Sequence, residues 1–187
     1  MRSRDGDKQK RIKEAVMRLI LENGFEGTSV SRIAEEAGVS PATIYVYYES
    51  KEDMLREIYL EYSADMFGFL ADGIDEGMGG GDLIDSLMRN FYRYAQEKSE
   101  IFGFVEQFSG CPCLAGTCRG NAGMERIFEA IDRKKSEGVF VDASDFSIVS
   151  VIFRPVKEIA WVQGMSGAEK ERILEDEIML IERALLL

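Results

Sequence analysis

The chain of 187 residues contains no histidine. Histidine is the side chain most often used as a general base near neutral pH and the commonest nitrogen ligand of zinc, so its absence argues against most hydrolases and metalloenzymes. No carboxylate pair accompanies a nucleophile, and the glycines of residues 77–81 lack the strand, lysine and serine or threonine of a phosphate-binding loop. We expect a protein that is not an enzyme and that needs neither a metal nor a cofactor.

Proline and long apolar runs are also scarce. No apolar stretch approaches the roughly 20 residues that cross a bilayer, and the first residues are charged where a secretory signal would become apolar. Only 3 prolines are present while 45% of the residues are hydrophobic, which indicates a folded chain with a substantial core. We expect a cytoplasmic protein that does not contact membranes and whose three cysteines are reduced.

Acidic residues outnumber basic ones, but the excess is unevenly distributed. The formal net charge is −11. Residues 2–18 contain seven basic and three acidic side chains, whereas residues 61–187 contain 13 basic and 23 acidic ones. A basic N-terminal arm followed by an acidic remainder is compatible with nucleic-acid binding at one end of the chain only.

Three helical segments follow one another near the N terminus. The first, residues 8–24, carries apolar residues at the spacing of one buried helix face. Phe25 follows in a turn, where we expect it to fill the core, and Thr28 is expected to cap the second helix. Ser40 and Pro41 are a typical helix start, because proline lacks only an amide that would be unpaired anyway. Two short helices joined by a tight turn predict a helix-turn-helix.

The third segment, residues 41–48, has one face suited to the core and one suited to contact with a groove. Helical spacing directs Ile44 and Tyr48 towards the core. The outward face then consists of Ala42, Thr43, Tyr45 and Val46, with Tyr47 at its edge. Alanine permits close approach to bases, and threonine and tyrosine hydroxyls can reach phosphates. Lys51, beside the amide-rich start of the next helix, suits a phosphate as well.

Helical periodicity continues to the end of the chain. Ser50 is expected to cap a long helix, and a glycine-rich linker at residues 75–82 separates it from later ones. These later helices are expected near residues 82–98, 100–110, 120–137, 144–164 and 168–186. Residues 146–153 are rich in β-branched side chains, but the apolar pattern runs on beyond them and favours a helix. We predict an all-α fold of about nine helices.

The last two helices are expected to form a two-fold dimer interface. The helix at 144–164 is apolar on nearly all sides in its first half. The last helix presents one apolar stripe, which we expect to face the partner in a four-helix arrangement. This stripe consists of Leu174, Ile178, Ile181 and Leu185.

The run TSVSRIAEEAGVSPATIYVYYESKEDML, residues 28–55, resembles the DNA-binding signature of the TetR family of bacterial and archaeal transcriptional regulators. The resemblance implies a three-helix DNA-binding head at residues 1–50 and a helical ligand-binding and dimerisation body at residues 51–187. It also implies a homodimer that binds a pseudo-palindromic duplex operator and is released by a small-molecule inducer. A DNA-bound structural or cell-division factor of the same fold, without an inducer, is the alternative.

The resemblance also implies which residues contact DNA. By position, the DNA backbone is contacted by Thr28, Thr43, Tyr45, Tyr47 and Lys51, and the residues near base edges are Ser40, Pro41 and Ala42. Proline and alanine side chains cannot donate bidentate hydrogen bonds, so we expect sequence readout to rest on few contacts together with DNA shape.

Candidates for a ligand pocket lie in the second part of the chain. They are Phe91, Tyr94, Phe104, Phe108, Phe128, Arg154 and Trp161. The aromatic members are equally compatible with an ordinary core. Arg154 precedes Pro155 in an apolar helix, where it could orient a ligand or pair with Glu158 four residues on.

The three cysteines, Cys111, Cys113 and Cys118, lie within eight residues of a loop that contains proline and glycine. Their spacing matches no zinc signature. Such a cluster suits a sensor of oxidants or electrophiles, with Cys118 beside Arg119 as the attacking thiol. Three independent reduced thiols are the other interpretation.

Overall fold

The computed structural model describes residues 2–108 and 120–187, and within them the chain forms nine α-helices and no β-strand. In chain order the helices are α1 (Arg2–Asn23), α2 (Val30–Ala37), α3 (Pro41–Tyr47), α4 (Lys51–Ala71), α5 (Gly80–Glu97), α6 (Ser99–Phe108), α7 (Ala122–Ser136), α8 (Asp145–Trp161) and α9 (Gly167–Leu185). The all-α prediction is confirmed. None of the described helices combines the length and the apolar character needed to span a membrane.

Several helix boundaries follow capping signals that the sequence shows. The Ser40 hydroxyl accepts a hydrogen bond from the backbone N–H of Thr43, and Pro41 is the first residue of α3. At the start of α9, Ser166 and Glu169 form a capping box in which each side chain accepts from the other residue's backbone N–H. These bonds satisfy amides that have no partner within the helix, and so they fix where each helix begins.

The cap of α2 differs by one residue from the prediction. Ser29 accepts the hydrogen bond from the backbone N–H of Arg32, whereas the expected cap, Thr28, is buried. The Thr28 hydroxyl lies 3.1 Å from the carbonyl oxygen of Leu19 and 2.9 Å from that of Gly24. The Thr28 hydroxyl thus bonds back to the end of α1 and the residue after it, and Ser29 caps α2 instead. Thr28 therefore stabilises the turn between α1 and α2.

The described helices pack as two units. The first comprises the described residues of 1–63 and 99–117, and there α1 packs against α2 and α6, and α2 packs against α3. The second comprises those of 64–98 and 118–187. This division by packing does not test the predicted functional boundary at residue 50, which stays a prediction.

The core of the first unit contains the apolar stripe predicted for α1, whose members are Ile12, Ala15, Val16, Leu19 and Ile20. Ile44 in α3 and Tyr48, the residue that follows the helix as its C-cap, are buried as predicted, while 77% of Val46 is exposed. A helix of seven residues is too short to be stable by itself. The burial of these two side chains is therefore what holds α3 in place.

In the second unit, α5 packs against α8 and α9, which also pack against each other, and α7 packs against α8. Residues 146–153 lie within α8, so the prediction of a helix there is confirmed. Asp65, in the part of α4 that belongs to this unit, accepts hydrogen bonds from the Tyr94 hydroxyl at 2.8 Å and from Lys98 Nζ at 2.7 Å. Partial burial alone would raise the pKa of Asp65, but these two hydrogen bonds outweigh it and lower the pKa.

A glycine brings two helices of the second unit into backbone contact. A Cβ atom at Gly123, near the start of α7, would lie 2.4 Å from the carbonyl carbon and oxygen of Phe67 and 2.6 Å from the backbone nitrogen of Gly68. Real Cβ atoms do not approach other heavy atoms this closely. The crossing of α7 over α4 therefore requires glycine at this position.

The apolar stripe of α9 faces this chain's own core, which corrects the expectation that it faces a partner. Its four members, Leu174, Ile178, Ile181 and Leu185, are all buried. The large apolar side chains that remain exposed on α8 and α9 are instead Phe146, Val151, Trp161, Met179 and Leu180. Periodicity identifies a buried face of a helix but does not say whether the same chain or another one buries it.

Replacing Ile44 by alanine is expected to lower the free energy of unfolding by about 2–5 kcal/mol, because it removes a buried side chain that the short α3 depends on. Val46→Ala, two residues away and mostly exposed, should change it by less than about 0.5 kcal/mol. Urea denaturation of both variants beside the wild type measures the difference. Equal stabilities would show that Ile44 is not part of the core.

The alkaline pH dependence of stability should reveal the burial of Tyr48. Burial, with repulsion from Glu57 and Glu61, raises its pKa from 10.0 to about 12. Between these values the phenol is ionised in the unfolded chain but not in the folded one, so stability falls as pH rises. In Tyr48→Phe this decline should be shallower, whereas Tyr45→Phe, at an exposed position, should keep the wild-type slope. Identical slopes in both variants would contradict the assignment.

Candidate nucleic-acid interface

Most of the side chains predicted to contact DNA lie on the outward face of α3, and most of these are exposed. Ala42 and Tyr45 are exposed, Tyr45 to 58%, and Thr43 is half-buried. Ser40 and Pro41 at the start of the helix are exposed as well. The hydroxyls of Ser40 and Thr43 lie 2.9 Å apart and form a hydrogen bond. Because the side chains at the N-terminal end of α3 are small, this end of the helix can approach a DNA groove closely.

Tyr47 lies at the edge of this face, as predicted. It is half-buried, and its ring centroid is 6.5 Å from that of the buried Tyr48 at an interplanar angle of 59°. The packing of one ring against the other limits the rotamers open to Tyr47.

Lys51 is the first residue of α4 and lies at a helix start that is capped as predicted. The backbone N–H of Asp53 donates to the Ser50 hydroxyl at 3.0 Å, and the backbone N–H of Glu49 donates to the Asp53 carboxylate at 3.1 Å. A side-chain hydrogen bond from Arg56, and then the one from the Glu49 backbone, lower the pKa of Asp53. Asp53 is therefore ionised at neutral pH and keeps the cap intact.

The surroundings of the Lys51 ammonium were not expected from the sequence. Its Nζ lies 4.0 Å from the centroid of the Phe25 ring, which belongs to the turn between α1 and α2. Phe25 is half-buried, so it is not simply part of the core. No local pattern links two residues that are 26 positions apart, and the contact exists only because the two turns fold next to each other.

Thr28 is separated from the exposed residues of the predicted set. Its side chain is buried and its hydroxyl donates to backbone carbonyls, so it offers no donor at the surface. The predicted contact between Thr28 and a phosphate is therefore not supported by its position. The remaining predicted residues lie in α3, directly before it or at the start of α4; they are Ser40, Pro41, Ala42, Thr43, Tyr45, Tyr47 and Lys51.

The residues proposed for a ligand pocket occupy different surroundings. Phe104 and Phe108 are buried in the first unit, where Phe104 packs against Phe108 and Tyr62 at centroid distances of 5.3 and 5.8 Å. In the second unit Phe91 packs against Phe153 at 4.9 Å. These rings fill cores of the described units, and this favours the interpretation of the aromatic residues as core.

The other members of that set are dispersed within the second unit. Tyr94 is fully buried and donates its hydroxyl to Asp65, and Phe128 is half-buried. Arg154 and Trp161 are exposed. A single ligand role for all seven residues has no support in the described part of the chain. Cys111, Cys113 and Cys118 lie outside the described residues, and their role as a thiol sensor stays a prediction.

A surface groove of about 640 Å³ runs between α8 and α9. Arg154 lies in it, so the structure places this side chain on a helix surface and not in an enclosed pocket. Phe146, Val151 and Leu180 contribute apolar lining, and Glu177 adds a carboxylate on the same surface. The groove thus combines exposed apolar area with both signs of charge.

Comparison with known proteins agrees with this architecture. Residues 12–58 match the family described as bacterial regulatory proteins, tetR family. The chain is 38% identical over 74 residues to a fatty acid metabolism regulator protein of Bacillus subtilis (strain 168), an alignment that spans 37% of this chain and 38% of the relative. It is 30% identical over 74 residues to the HTH-type transcriptional repressor KstR2 of Rhodococcus jostii (strain RHA1), spanning 40% and 36% of the two chains. Both alignments thus span less than two thirds of the relative's length.

The similarity to solved structures extends over the whole chain. A TetR family transcription regulator from Marinobacter aquaeolei VT8 superimposes with a TM-score of 0.85 and 26% identity, covering 100% of this chain and 99% of that one. The segment that matches the family model contains the helix-turn-helix, and the structural match includes the helices that follow it. Residues 12–58 thus resemble the N-terminal region of tetR-family regulatory proteins, and the whole chain shares the fold of a TetR family transcription regulator.

Proposed function

We propose that the chain is a homodimeric transcriptional regulator that binds a pseudo-palindromic DNA operator through α3 and Lys51. The observation that carries this proposal is the division of α3 into two faces. The buried side chains of Ile44 and Tyr48 anchor the helix in the core, and Ala42, Thr43 and Tyr45 lie on the opposite, outward face. A short helix held rigidly with small and hydroxyl-bearing side chains outward suits the major groove of duplex DNA.

Operator recognition is proposed to combine few base contacts with contacts to phosphates. Proline and alanine at the start of α3 cannot form bidentate hydrogen bonds with bases, so sequence-dependent groove shape contributes to specificity. Tyr45, Tyr47 and Lys51 supply hydroxyls and a cation for phosphates. The N-terminal end of α4 adds the partial positive charge of the helix dipole beside Lys51.

Dimerisation through α8 and α9 is proposed from their exposed apolar surface. Phe146 is 74% exposed and Leu180 is 53% exposed, which is a high exposure for large apolar side chains on adjacent helices. Arg154 and Glu177 lie on the same surface. A two-fold interface must be complementary to itself, and a face that carries both signs of charge around an apolar centre meets this requirement.

Repression relieved by a small molecule is the regulatory mode that we propose. One relative is a transcriptional repressor and another is a regulator of fatty acid metabolism by name, which supports a regulatory and non-catalytic role here. The packed rings of Phe91 and Phe153 favour the alternative of a DNA-bound structural or cell-division factor without an inducer. Thermal shift screening with a chemically diverse set of small molecules distinguishes the two, because binding to the folded state raises the Tm.

Alanine at Tyr45 or Lys51 should each weaken operator binding by roughly 1–3 kcal/mol, because each change removes a surface contact without disturbing the core. Lys51→Ala should also lower the slope of log affinity against log salt by about one unit, since one fewer counterion is released. The duplex is selected from a random library by the wild-type protein, and affinity is measured at several salt concentrations.

Arg172→Ala is the matched control for these variants. It removes one exposed positive charge from α9, in the second unit, and should leave both the affinity and the salt slope unchanged. If Tyr45→Ala and Lys51→Ala bind as the wild type does at every salt concentration, the assignment of the interface to α3 and α4 is wrong.

Sedimentation should show a particle of twice the chain mass of 21.1 kDa at micromolar concentration. Leu180→Glu should shift it to the monomer mass, because a charge on the apolar surface of α9 must be desolvated in the interface. Leu60→Glu, an equivalent change on α4, should remain dimeric. A monomeric wild type, or a footprint without two-fold symmetry, would contradict the proposed interface.

A further inference from the structure

The charge of Lys51 is held by an aromatic ring and not by a carboxylate. Its Nζ lies 4.0 Å from the Phe25 centroid, and among the described residues no carboxylate oxygen lies within 4.0 Å of it. We propose that Phe25 is a positioning residue that holds the Lys51 ammonium in place for a DNA phosphate. This inference rests on the proposed function, because it assumes that Lys51 contacts the operator.

Other cations of the first unit are paired differently. Lys13 contacts Glu61, Arg18 contacts Glu36 and Arg56 contacts Asp53. A carboxylate neutralises its cation and competes with an incoming phosphate. The face of an aromatic ring attracts a cation through its quadrupole but carries no net charge. Lys51 therefore retains its full attraction for a phosphate while its position is restricted.

Contact with the ring leaves donors available on the ammonium. The group carries three N–H donors, and a ring on one side leaves the other directions open to phosphate oxygens. Lysine ends a flexible four-carbon stem, so an unrestrained side chain loses rotamer freedom when it binds DNA. A side chain already held against Phe25 loses less, and the difference appears as tighter binding.

The ring itself is held in place by the turn that carries it. Gly24 adopts a φ of 70° and its N–H donates to the carbonyl of Ile20, while the N–H of Thr28 donates to the carbonyl of Phe25 at 3.2 Å. The buried Thr28 hydroxyl donates to the carbonyls of Leu19 and Gly24. Bonds on both sides of Phe25 thus fix its backbone, and Thr28 contributes to DNA binding through the ring.

The lysine end of the contact is fixed independently. Lys51 begins α4 directly after Ser50, whose hydroxyl accepts from the backbone N–H of Asp53, and the Asp53 carboxylate accepts in turn from Glu49. The contact between Phe25 and Lys51 therefore joins two turns whose backbones are each held by their own hydrogen bonds. Only the lysine stem remains free to move, and the ring restricts it.

A double-mutant cycle tests the proposal. Affinity for the selected duplex is measured for the wild type, Phe25→Leu, Lys51→Ala and the double variant. Phe25→Leu keeps an apolar side chain but removes the ring face, and it should weaken binding about two- to five-fold. In the Lys51→Ala background the same change should have no further effect, because there is no ammonium left to position. A separate structural role for Phe25 would weaken binding equally in both backgrounds.

Two further variants distinguish loss of the ring's electrostatic attraction from a change in how residue 25 packs. Phe25→Tyr retains the ring face and should bind close to the wild-type affinity. A fluorinated phenylalanine at position 25, with nearly the same shape but a weakened negative face, should weaken binding as Phe25→Leu does. Thermal unfolding of every variant identifies any that are not folded. Normal binding by the fluorinated protein would overturn the proposal.

An NMR measurement separates this inference from the proposed function. The ε-methylene protons of Lys51 should be shifted upfield by the ring current of Phe25, and Phe25→Leu should abolish the shift. If Lys51→Ala weakens DNA binding but the cycle shows no coupling, the positioning role alone is wrong. If Lys51→Ala leaves the affinity unchanged, the proposed phosphate contact of Lys51 is wrong and the positioning role fails with it, whatever the ring-current shift; the interface itself is wrong only if Tyr45→Ala is also without effect. Absence of that shift in the wild type overturns the contact itself.

Discussion

The surface proposed to contact DNA depends on the burial of two side chains, Ile44 within the seven-residue helix α3 and Tyr48 directly after it. Isolated helices shorter than about 12–15 residues are marginal in water, so α3 exists because Ile44 and Tyr48 are enclosed by the first unit. The same packing decides which side chains remain outside. The composition of the outward face is therefore free to vary for recognition, while the inward face is constrained by the core.

Helix α4 is subject to constraints at both of its ends. It begins at Lys51, whose ammonium lies over Phe25, and it continues into the second unit, where Asp65 accepts hydrogen bonds from Tyr94 and Lys98. The lowered pKa of Asp65 keeps this carboxylate ionised over the physiological range. One continuous helix thus carries a phosphate-binding candidate at its start and polar anchors of the second unit near its end.

The sequence predicted the elements that short-range signals define. Each described helix overlaps a segment predicted to be helical, although α1 begins at Arg2 and not at residue 8, and a serine cap with proline at the first position predicted the start of α3. Pairings over long sequence distances could not be predicted: the ring under Lys51, the internal bonds of Thr28 and the burial of the α9 stripe all depend on which elements meet. A periodic apolar face indicates that the helix is buried on that side, but which other helix covers it depends on the tertiary fold. The same reason separates the proposed pocket aromatics between two cores.

The crossing of α7 over α4 has a genetic consequence. Every amino acid except glycine carries a Cβ atom, and any such atom at position 123 would overlap the backbone of Phe67 and Gly68. Each missense change of this codon therefore forces the two helices apart, whatever the chemistry of the new side chain. Even alanine, the most conservative replacement, meets this overlap. Position 123 therefore tolerates only the residue that lets the backbones of α4 and α7 come into contact.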